Sequence, residues 1–210
     1  MKLVLFGAPG AGKGTVAKIM IKDFNIPQIS TGDLFRKAIK DKTSLGQKVS
    51  SILASGGLVP DEITIEIVKE RTSESDCKNG FILDGFPRTM VQAEAWEKAN
   101  PIDNAIYFEI SDEEVKKRLC GRRVCPKCGE IYNVNFNQPK VDGMCDKDGE
   151  KLIIRPDDEE SAINNRLEVY HSQTKPLLEY YTRLKKVISV DSSVSPVNTY
   201  TQIKEKLKIK

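Results

Sequence analysis

A glycine-rich segment near the start of the chain has the composition of a phosphate-binding loop. Residues 7–15 read Gly-Ala-Pro-Gly-Ala-Gly-Lys-Gly-Thr and directly follow the apolar run 3–6. The glycines let successive backbone N–H groups point at a polyphosphate, and Lys13 adds a positive charge for the outer phosphates. Gly14 separates the lysine from the hydroxyl of Thr15, which therefore comes one place later than in the general G-x-x-x-x-G-K-[ST] pattern. A tight structural turn is the alternative, but a strand, a loop and a lysine in this order favour phosphate binding.

Arginine is scarce in this chain, yet it recurs where phosphates would bind. The sequence has 24 lysines and nine arginines. A guanidinium group binds two phosphate oxygens at once and stays charged, which a lysine does not match. Any one arginine could equally form a surface ion pair, but as a set they indicate a phosphate site. The relevant residues are Arg36, Arg88, Arg118, Arg122, Arg123, Arg155 and Arg166.

The spacing of three cysteines and one aspartate indicates a metal site. Cys125 and Cys128 form one x-x pair, and Cys145 with Asp148 repeats that spacing after sixteen intervening residues. This is zinc-ribbon spacing with aspartate in place of the fourth cysteine, and a carboxylate oxygen can complete a tetrahedral shell. Four protein ligands leave no open position, so the zinc would be structural. The alternative is a redox-active dithiol formed by Cys125 and Cys128.

Short apolar segments alternate with amphipathic helical patterns along most of the chain. This alternation predicts an α/β fold with a doubly wound, five-stranded parallel sheet and helices on both faces. Ligands of such sheets bind beyond the carboxyl ends of the strands, so the glycine-rich loop, the segments 30–33 and 84–88 and the residues after Ile110 should meet in one crevice. The predicted strands are 3–6, 28–29, 81–84, 105–109 and 187–190.

Several residues should mark helix boundaries. Ser30 and Ser111 have capping-box spacing, and Thr89 and Asp157 are further candidate N-caps. Pro176 should divide the helical pattern that runs over 157–184. Residues 124–154 lack helical periodicity and are rich in polar residues and glycine. They predict a small inserted β-domain.

Length and composition favour one soluble domain that carries an insertion. The 210 residues are 39% hydrophobic and 30% charged, which is enough for a sizeable core. We expect a cytoplasmic protein that does not associate with membranes, because no apolar run approaches a span and no leader pattern precedes the first strand. A net charge of +3, with both signs interspersed, gives little support to nucleic-acid binding. Five cysteines in such a chain argue against a disulfide framework.

The ending Gly-Lys-Gly-Thr of the loop resembles the nucleoside monophosphate kinases, and four further segments resemble adenylate kinases. Together with the cysteine-bearing segment, they are similar to the long, lid-bearing form of that family over essentially the whole chain. The resemblance implies a monomeric phosphotransferase that converts MgATP and AMP reversibly into two ADP. The four segments are Ser-Thr-Gly-Asp at 30–33, Gly-Gly-Leu-Val-Pro-Asp at 56–61, Asp-Gly-Phe-Pro-Arg-Thr at 84–89 and Gly-Arg-Arg at 121–123.

The resemblance also assigns roles to individual residues. Those implied to bind ATP are Gly10, Ala11, Gly12, Lys13, Gly14, Thr15, Arg118, Arg122, Ile131 and Tyr132. Those implied to bind AMP are Thr31, Arg36, Gly57, Leu58, Val59, Gly85, Arg88, Gln92, Arg155 and Arg166. The expected catalytic set is Lys13, Arg36, Arg88, Arg122, Arg155, Arg166 and Asp84. Asp84 ends a predicted buried strand at the crevice, where its carboxylate could orient water around Mg²⁺, and a cap or turn aspartate is the alternative. Tyr132 could instead pack within the small β-domain, and the sequence does not rank Arg122 against the adjacent Arg123.

The same resemblance divides the chain into three parts. A core would comprise residues 1–29, 60–120 and 159–210, a monophosphate-binding flap residues 30–59, and a zinc-binding lid residues 121–158. A kinase that acts on UMP, CMP or GMP is the alternative within the enzyme class. A P-loop switch protein and a zinc-ribbon nucleic-acid-binding protein are the alternatives from other classes. The sequence lacks the Asn-Lys-x-Asp motif with which such switch proteins read the base, and it lacks the clustered basic and aromatic residues of a nucleic-acid-binding ribbon.

Overall fold

The computed structural model describes residues 1–209 and contains seven strands in two sheets. Five strands form a parallel sheet in the spatial order β2-β3-β1-β4-β7, and β5 pairs with β6 in an antiparallel hairpin. The predicted five-stranded parallel sheet is thereby confirmed. The strands are β1 (Lys2–Gly7), β2 (Gln28–Ser30), β3 (Phe81–Asp84), β4 (Asn104–Glu109), β5 (Arg122–Val124), β6 (Ile131–Asn133) and β7 (Val187–Asp191).

Helices cover both faces of the parallel sheet. Along β1, Val4 and Phe6 pack into one buried cluster, whereas Leu3 and Leu5 pack into another on the opposite face. This follows from the two-residue period of a strand, which sends successive side chains to opposite faces. The helices are α1 (Lys13–Phe24), α2 (Thr31–Lys40), α3 (Ser44–Ala54), α4 (Asp61–Thr72), α5 (Met90–Ala99), α6 (Asp112–Cys120), α7 (Glu160–Val169), α8 (Leu177–Arg183) and α9 (Pro196–Leu207).

Three of the four predicted helix caps are confirmed. The hydroxyls of Ser30, Thr89 and Ser111 each accept a backbone N–H three residues further on, at 3.2, 3.2 and 3.3 Å. The prediction for Asp157 is wrong, because α7 begins at Glu160 and the carboxylate of Asp157 pairs with Arg166 at 3.1 Å instead. The predicted division of the last long helical pattern is confirmed, since a π-helical turn (Tyr170–Thr174) and then Pro176 separate α7 from α8.

The segment that follows α6 has its own small buried cluster. An isolated antiparallel bridge pairs Val124 of the β5–β6 hairpin with Ile153, and a second bridge pairs Met144 with Lys151. The buried cluster comprises Cys125, Tyr132, Cys145 and Leu152. Among residues 1–209, no helix combines the length and the apolar character that a membrane crossing requires.

Candidate active site

One cavity of about 750 Å³ opens where the strands of the parallel sheet end. The glycine-rich loop follows β1, Thr31 and Asp33 follow β2, and Gly85 follows β3, and all of them line this cavity. Parallel strands end at the same edge of a sheet, and ligands of doubly wound folds bind there. The predicted convergence of these segments in one crevice is confirmed.

The glycine-rich loop folds back on the lysine that it carries. Gly12 adopts a left-handed conformation with a φ of 89° immediately before α1. The ammonium of Lys13 donates hydrogen bonds to the carbonyl oxygens of Gly7 and Ala8, both at 2.8 Å. Burial lowers the pKa of Lys13 to about 8, although the nearby carboxylate of Asp84 acts in the opposite direction. A phosphate that entered the loop would compete with these two carbonyls for the ammonium.

Gly14 explains why the loop departs from the general pattern. A Cβ atom at this position would lie 3.3 Å from Oδ2 of Asp84, which leaves little room for any side chain. That carboxylate oxygen also accepts a hydrogen bond from Nε2 of Gln28 at 2.8 Å. Burial raises the pKa of Asp84, and the charge of Lys13 opposes the shift. The extra glycine therefore lets a buried carboxylate approach the start of α1.

Six arginines line the cavity. Burial lowers the pKa of Arg88 and of Arg155 to about 10, and neighbouring guanidinium groups contribute to both shifts. So much like charge facing one space is costly unless an anion enters, so the cavity suits a polyanion such as a nucleotide polyphosphate. The six are Arg36, Arg88, Arg118, Arg122, Arg155 and Arg166. Arg123 does not line the cavity, and its guanidinium donates to the backbone oxygens of Cys120 and Arg122.

Two aspartates form ion pairs with these arginines and neutralise part of their positive charge. The sequence did not identify them as partners of the arginines. Asp158 has a fully buried carboxylate that accepts hydrogen bonds from Arg122 at 2.7 Å and from Arg166 at 3.0 Å. Asp157 contacts Arg166 as well, at 3.1 Å. No motif spacing connects these partners, which come from the two ends of the segment 121–158 and from α7.

One end of the cavity is closed by the backbone of residues 56–59 and by Gln92. Gln92 is 1% exposed, and its amide oxygen accepts the backbone N–H of Arg88 at 2.8 Å. Nearby, the hydroxyl of Thr31 donates to the carbonyl oxygen of Gly85 at 2.8 Å, which joins the ends of β2 and β3. This end of the cavity therefore contains one buried amide side chain, that of Gln92.

The opposite end lies between the β5–β6 hairpin and the loop after β7. Arg118 donates to the carbonyl oxygen of Ser193 at 3.1 Å and to Glu114 at 3.0 Å. Residues 193–196 line the cavity, and sequence reasoning missed them, although they follow a strand of the parallel sheet as the other lining segments do.

Two residues that the resemblance assigned to ATP lie against the protein interior. Tyr132 lines the cavity, but its hydroxyl accepts the backbone N–H of Asp146 at 2.8 Å and its ring packs against Cys145. Packing within the small β-domain, the alternative interpretation, therefore describes part of its environment. Ala11 does not line the cavity, because its side chain is buried in the core below the loop.

The four residues predicted to bind a metal lie together. Their ligand atoms, from Cys125, Cys128, Cys145 and Asp148, are all within 4.8 Å of one another. The Sγ atoms of Cys128 and Cys145 are 3.5 Å apart, and Sγ of Cys125 is 3.4 Å from Oδ1 of Asp148. Ligands at zinc–sulfur and zinc–oxygen bond lengths around a tetrahedral ion would be separated by about 3.5–3.8 Å. The donor set and its spacing therefore fit zinc.

The fold and the loop define a P-loop nucleotide-binding α/β protein. The family model described as adenylate kinase matches residues 5–186. The chain is 51% identical to the adenylate kinase of Finegoldia magna, with 96% of this chain and 95% of that protein covered. It is 53% identical to the adenylate kinase of Treponema denticola over 91% and 92% of the two chains, and 50% identical to that of Thermosipho africanus over 92% and 93%. The chain belongs to the adenylate kinase family and is a phosphotransferase.

Proposed function

We propose that this chain catalyses the reversible transfer of a phosphoryl group from MgATP to AMP, giving two molecules of ADP. The observation that supports this reaction best is the single cavity, in which a phosphate loop and six arginines lie between two ends suited to bases. Two nucleotides whose phosphates met at the arginines would place donor and acceptor in line. Positioning of this kind supplies much of the catalysis in phosphoryl transfer.

The ATP would lie along the loop, with its base toward the β5–β6 hairpin. Backbone N–H groups of residues 10–15 and the ammonium of Lys13 would hold the phosphates, and Arg118 and Arg122 would approach from the other side. The base would lie near Ile131 and Tyr132 and against residues 193–196, which line that end of the cavity. The hydrogen bond between Arg118 and Ser193 supports this placement, because it fixes a planar guanidinium at the same end.

The AMP would occupy the end formed by residues 56–59, Gly85 and Gln92. Thr31 and the backbone there would contact the nucleoside. Four guanidinium groups would hold its phosphate or the group in transfer, and these belong to Arg36, Arg88, Arg155 and Arg166. The phosphate oxygen of AMP that attacks is already anionic, so the reaction needs no general base. The arginines and Lys13 would instead stabilise the charge of the transition state.

Residues 30–59 would act as a flap and residues 121–158 as a lid that exclude water from the reaction. In this structure the two are in contact, because the ammonium of Lys40 donates to the carbonyl oxygen of Pro126 at 3.1 Å.

Two metal ions have separate roles in this proposal. Mg²⁺ would accompany ATP and neutralise phosphate charge, and the buried carboxylate of Asp84 is the group suited to orient its water shell. Zinc, held by Cys125, Cys128, Cys145 and Asp148, would stabilise the fold of the lid and take no part in the chemistry.

A coupled assay of ADP formation tests the proposal. The purified chain would be mixed with MgATP and each of AMP, UMP, CMP and GMP in turn. AMP should be the acceptor with the highest kcat/KM, and activity should disappear when Mg²⁺ is chelated. A higher kcat/KM with UMP, CMP or GMP would assign the chain to another acceptor.

A further inference from the structure

Asp61 connects the end of the flap to the helix that carries Gln92. It is the first residue of α4, and its Oδ1 accepts hydrogen bonds from the hydroxyl of Thr89 at 3.0 Å and from Nε2 of Gln92 at 2.8 Å. The hydroxyl oxygen of Thr89 caps α5 by accepting the backbone N–H of Gln92 at 3.2 Å. One carboxylate therefore holds both the start of α5 and the side chain that closes the proposed AMP end of the cavity.

Two different groups fix the orientation of the Gln92 amide. A carboxylate can only accept hydrogen bonds, and a backbone N–H can only donate them. The amide nitrogen must therefore face Asp61 and the amide oxygen must face the N–H of Arg88, each at 2.8 Å. A half-turn of the amide would bring two donors together at Arg88 and two acceptors together at Asp61. Such a pairing is costly for a residue that is 1% exposed.

The fixed amide retains one N–H and one acceptor position for a ligand, because each primary amide has two donors and an oxygen with two lone pairs. Adenine presents an amino N–H beside a ring nitrogen that accepts. Guanine and uracil present a carbonyl oxygen beside a ring N–H, which is the opposite order. An amide that cannot turn complements only one of these orders, and a buried mismatch is not relieved by water.

We propose that Asp61 is a positioning residue that makes this enzyme prefer adenine to guanine and uracil as the acceptor base, by holding the Gln92 amide in the orientation that matches adenine. This inference rests on the proposed function, because Gln92 meets a base only when AMP occupies this end of the cavity. Asp61 itself does not line the cavity and acts through Gln92 and Thr89.

The test compares Asp61→Asn with Glu62→Gln. Both substitutions neutralise one carboxylate in the first turn of α4, so they affect the helix dipole alike. Of the two carboxylates, only that of Asp61 contacts Gln92. An asparagine offers both a donor and an acceptor, so the Gln92 amide can turn at lower cost. The measurements are kcat/KM for AMP and for GMP, KM for ATP, and the melting temperature. In Asp61→Asn the AMP-to-GMP ratio of kcat/KM should fall about tenfold while KM for ATP stays within twofold. In Glu62→Gln the ratio should stay at the wild-type value.

An unchanged ratio in a folded Asp61→Asn chain would overturn the inference, and so would an equal loss for AMP and GMP, which a purely structural role would produce. Asp61→Ser, which also offers a donor and an acceptor, gives the same comparison if the asparagine variant is unstable. A wild-type preference for GMP would contradict the proposed function instead, and it is measured before any variant is compared.

Discussion

Arg122 and Asp158 form a two-bond ion pair between the beginning and the end of the segment 121–158. Nε of Arg122 lies 2.7 Å from Oδ2 of Asp158, and Nη2 contacts the other carboxylate oxygen. Asp158 also contacts Arg166, so one fully buried carboxylate separates two guanidinium groups that line the cavity. This carboxylate is the ion-pair partner of Arg122, and it shares Arg166 with the carboxylate of Asp157.

Replacing Asp158 with asparagine should therefore destabilise the free protein. The loss of one partner of a buried ion pair costs about 3–5 kcal/mol, which corresponds to a melting temperature lower by roughly 6–20 °C in a chain of this size. Bound nucleotide phosphates would replace the missing charge, so the difference from wild type should shrink in saturating ATP. Differential scanning calorimetry measures the melting temperatures of wild type and variant without nucleotide and in saturating ATP. Asp112→Asn, at an exposed carboxylate, is the control, and equal melting temperatures for wild type and Asp158→Asn would contradict the role of this pair.

Lys13→Met should lower turnover by several orders of magnitude while the fold persists. The substitution removes the positive charge that would stabilise the transferring phosphates. Steady-state kinetics with MgATP and AMP measure the effect, and circular dichroism checks the fold. Lys22→Met, on the exposed side of α1, should keep wild-type turnover. Near-normal turnover in Lys13→Met would remove this residue from the mechanism.

The pKa of Lys13 predicts a pH dependence in the free enzyme. Because burial lowers this pKa to about 8, the ammonium is charged below that pH and loses its charge above it. Since kcat/KM reports ionisations of the free enzyme, kcat/KM for ATP should fall as the pH rises through about 8.

A stability measurement checks the same pKa by an independent route. Between pH 8 and 10.5 the unfolded chain binds more protons at Lys13 than the folded chain does, so the contribution of this group to stability rises with pH across that window. The free energy of unfolding of wild type, relative to Lys13→Met, should therefore increase by a few kcal/mol over this range. A constant difference, together with a flat kcat/KM up to pH 9.5, would rule out the lowered pKa.

Arg88→Lys should reduce kcat/KM for AMP by roughly 10²-fold, because the charge is kept but the two-point contact with phosphate is lost. Arg88 lies next to the proposed AMP site, where its Nε donates to the carbonyl oxygen of Gly85 at 2.8 Å. The values of kcat and KM for AMP and for ATP should each be measured with the other nucleotide at a saturating concentration. Arg183→Lys, at an exposed position on α8, is the matched control. An effect on ATP kinetics alone would show that Arg88 serves the other nucleotide.

Cys128→Ser should weaken zinc binding and lower the melting temperature of the lid while the parallel sheet stays folded. Asp148→Cys should keep one zinc per chain, because four thiolates suit the same tetrahedral ion. Elemental analysis of purified protein measures the metal directly. Cys120→Ser is the control, since Cys120 is exposed and outside the cluster. Protein that is folded and fully active with almost no metal would contradict the structural zinc and favour the redox dithiol.

The parts of the site that could be predicted from the sequence are those encoded over short distances. The loop around Lys13, the cap at Ser30 and the paired cysteine spacing each fall within a few residues, so the local pattern carries their meaning. Asp61 and Asp158 could not be found in this way. The partners of Asp61 lie 28 and 31 residues away, and Arg122 lies 36 residues from Asp158, so only the folded topology brings these groups together.

The cavity-lining role of residues 193–196 was not predicted for a different reason. These residues line the cavity because they directly follow β7, but they are small and uncharged, so no side chain in the segment indicates a binding role. The N-cap prediction for Asp157 failed because an aspartate before a helical pattern resembles an N-cap, whereas Arg166, in the helix that follows, pairs with the same carboxylate.

Three exposed polar contacts join the segments 30–59 and 121–158 to each other and to the rest of the chain. Lys40 donates to the carbonyl oxygen of Pro126 at 3.1 Å, Asn165 donates to the carbonyl oxygen of Ser55 at 2.7 Å, and Lys18 pairs with Glu130 at 3.4 Å. Each is a solvent-exposed polar contact of the kind that contributes no more than about 1 kcal/mol. The proposed flap and lid would thus be joined to the rest of the chain by contacts that thermal motion releases within a single catalytic cycle, and the release of products would need no large input of energy.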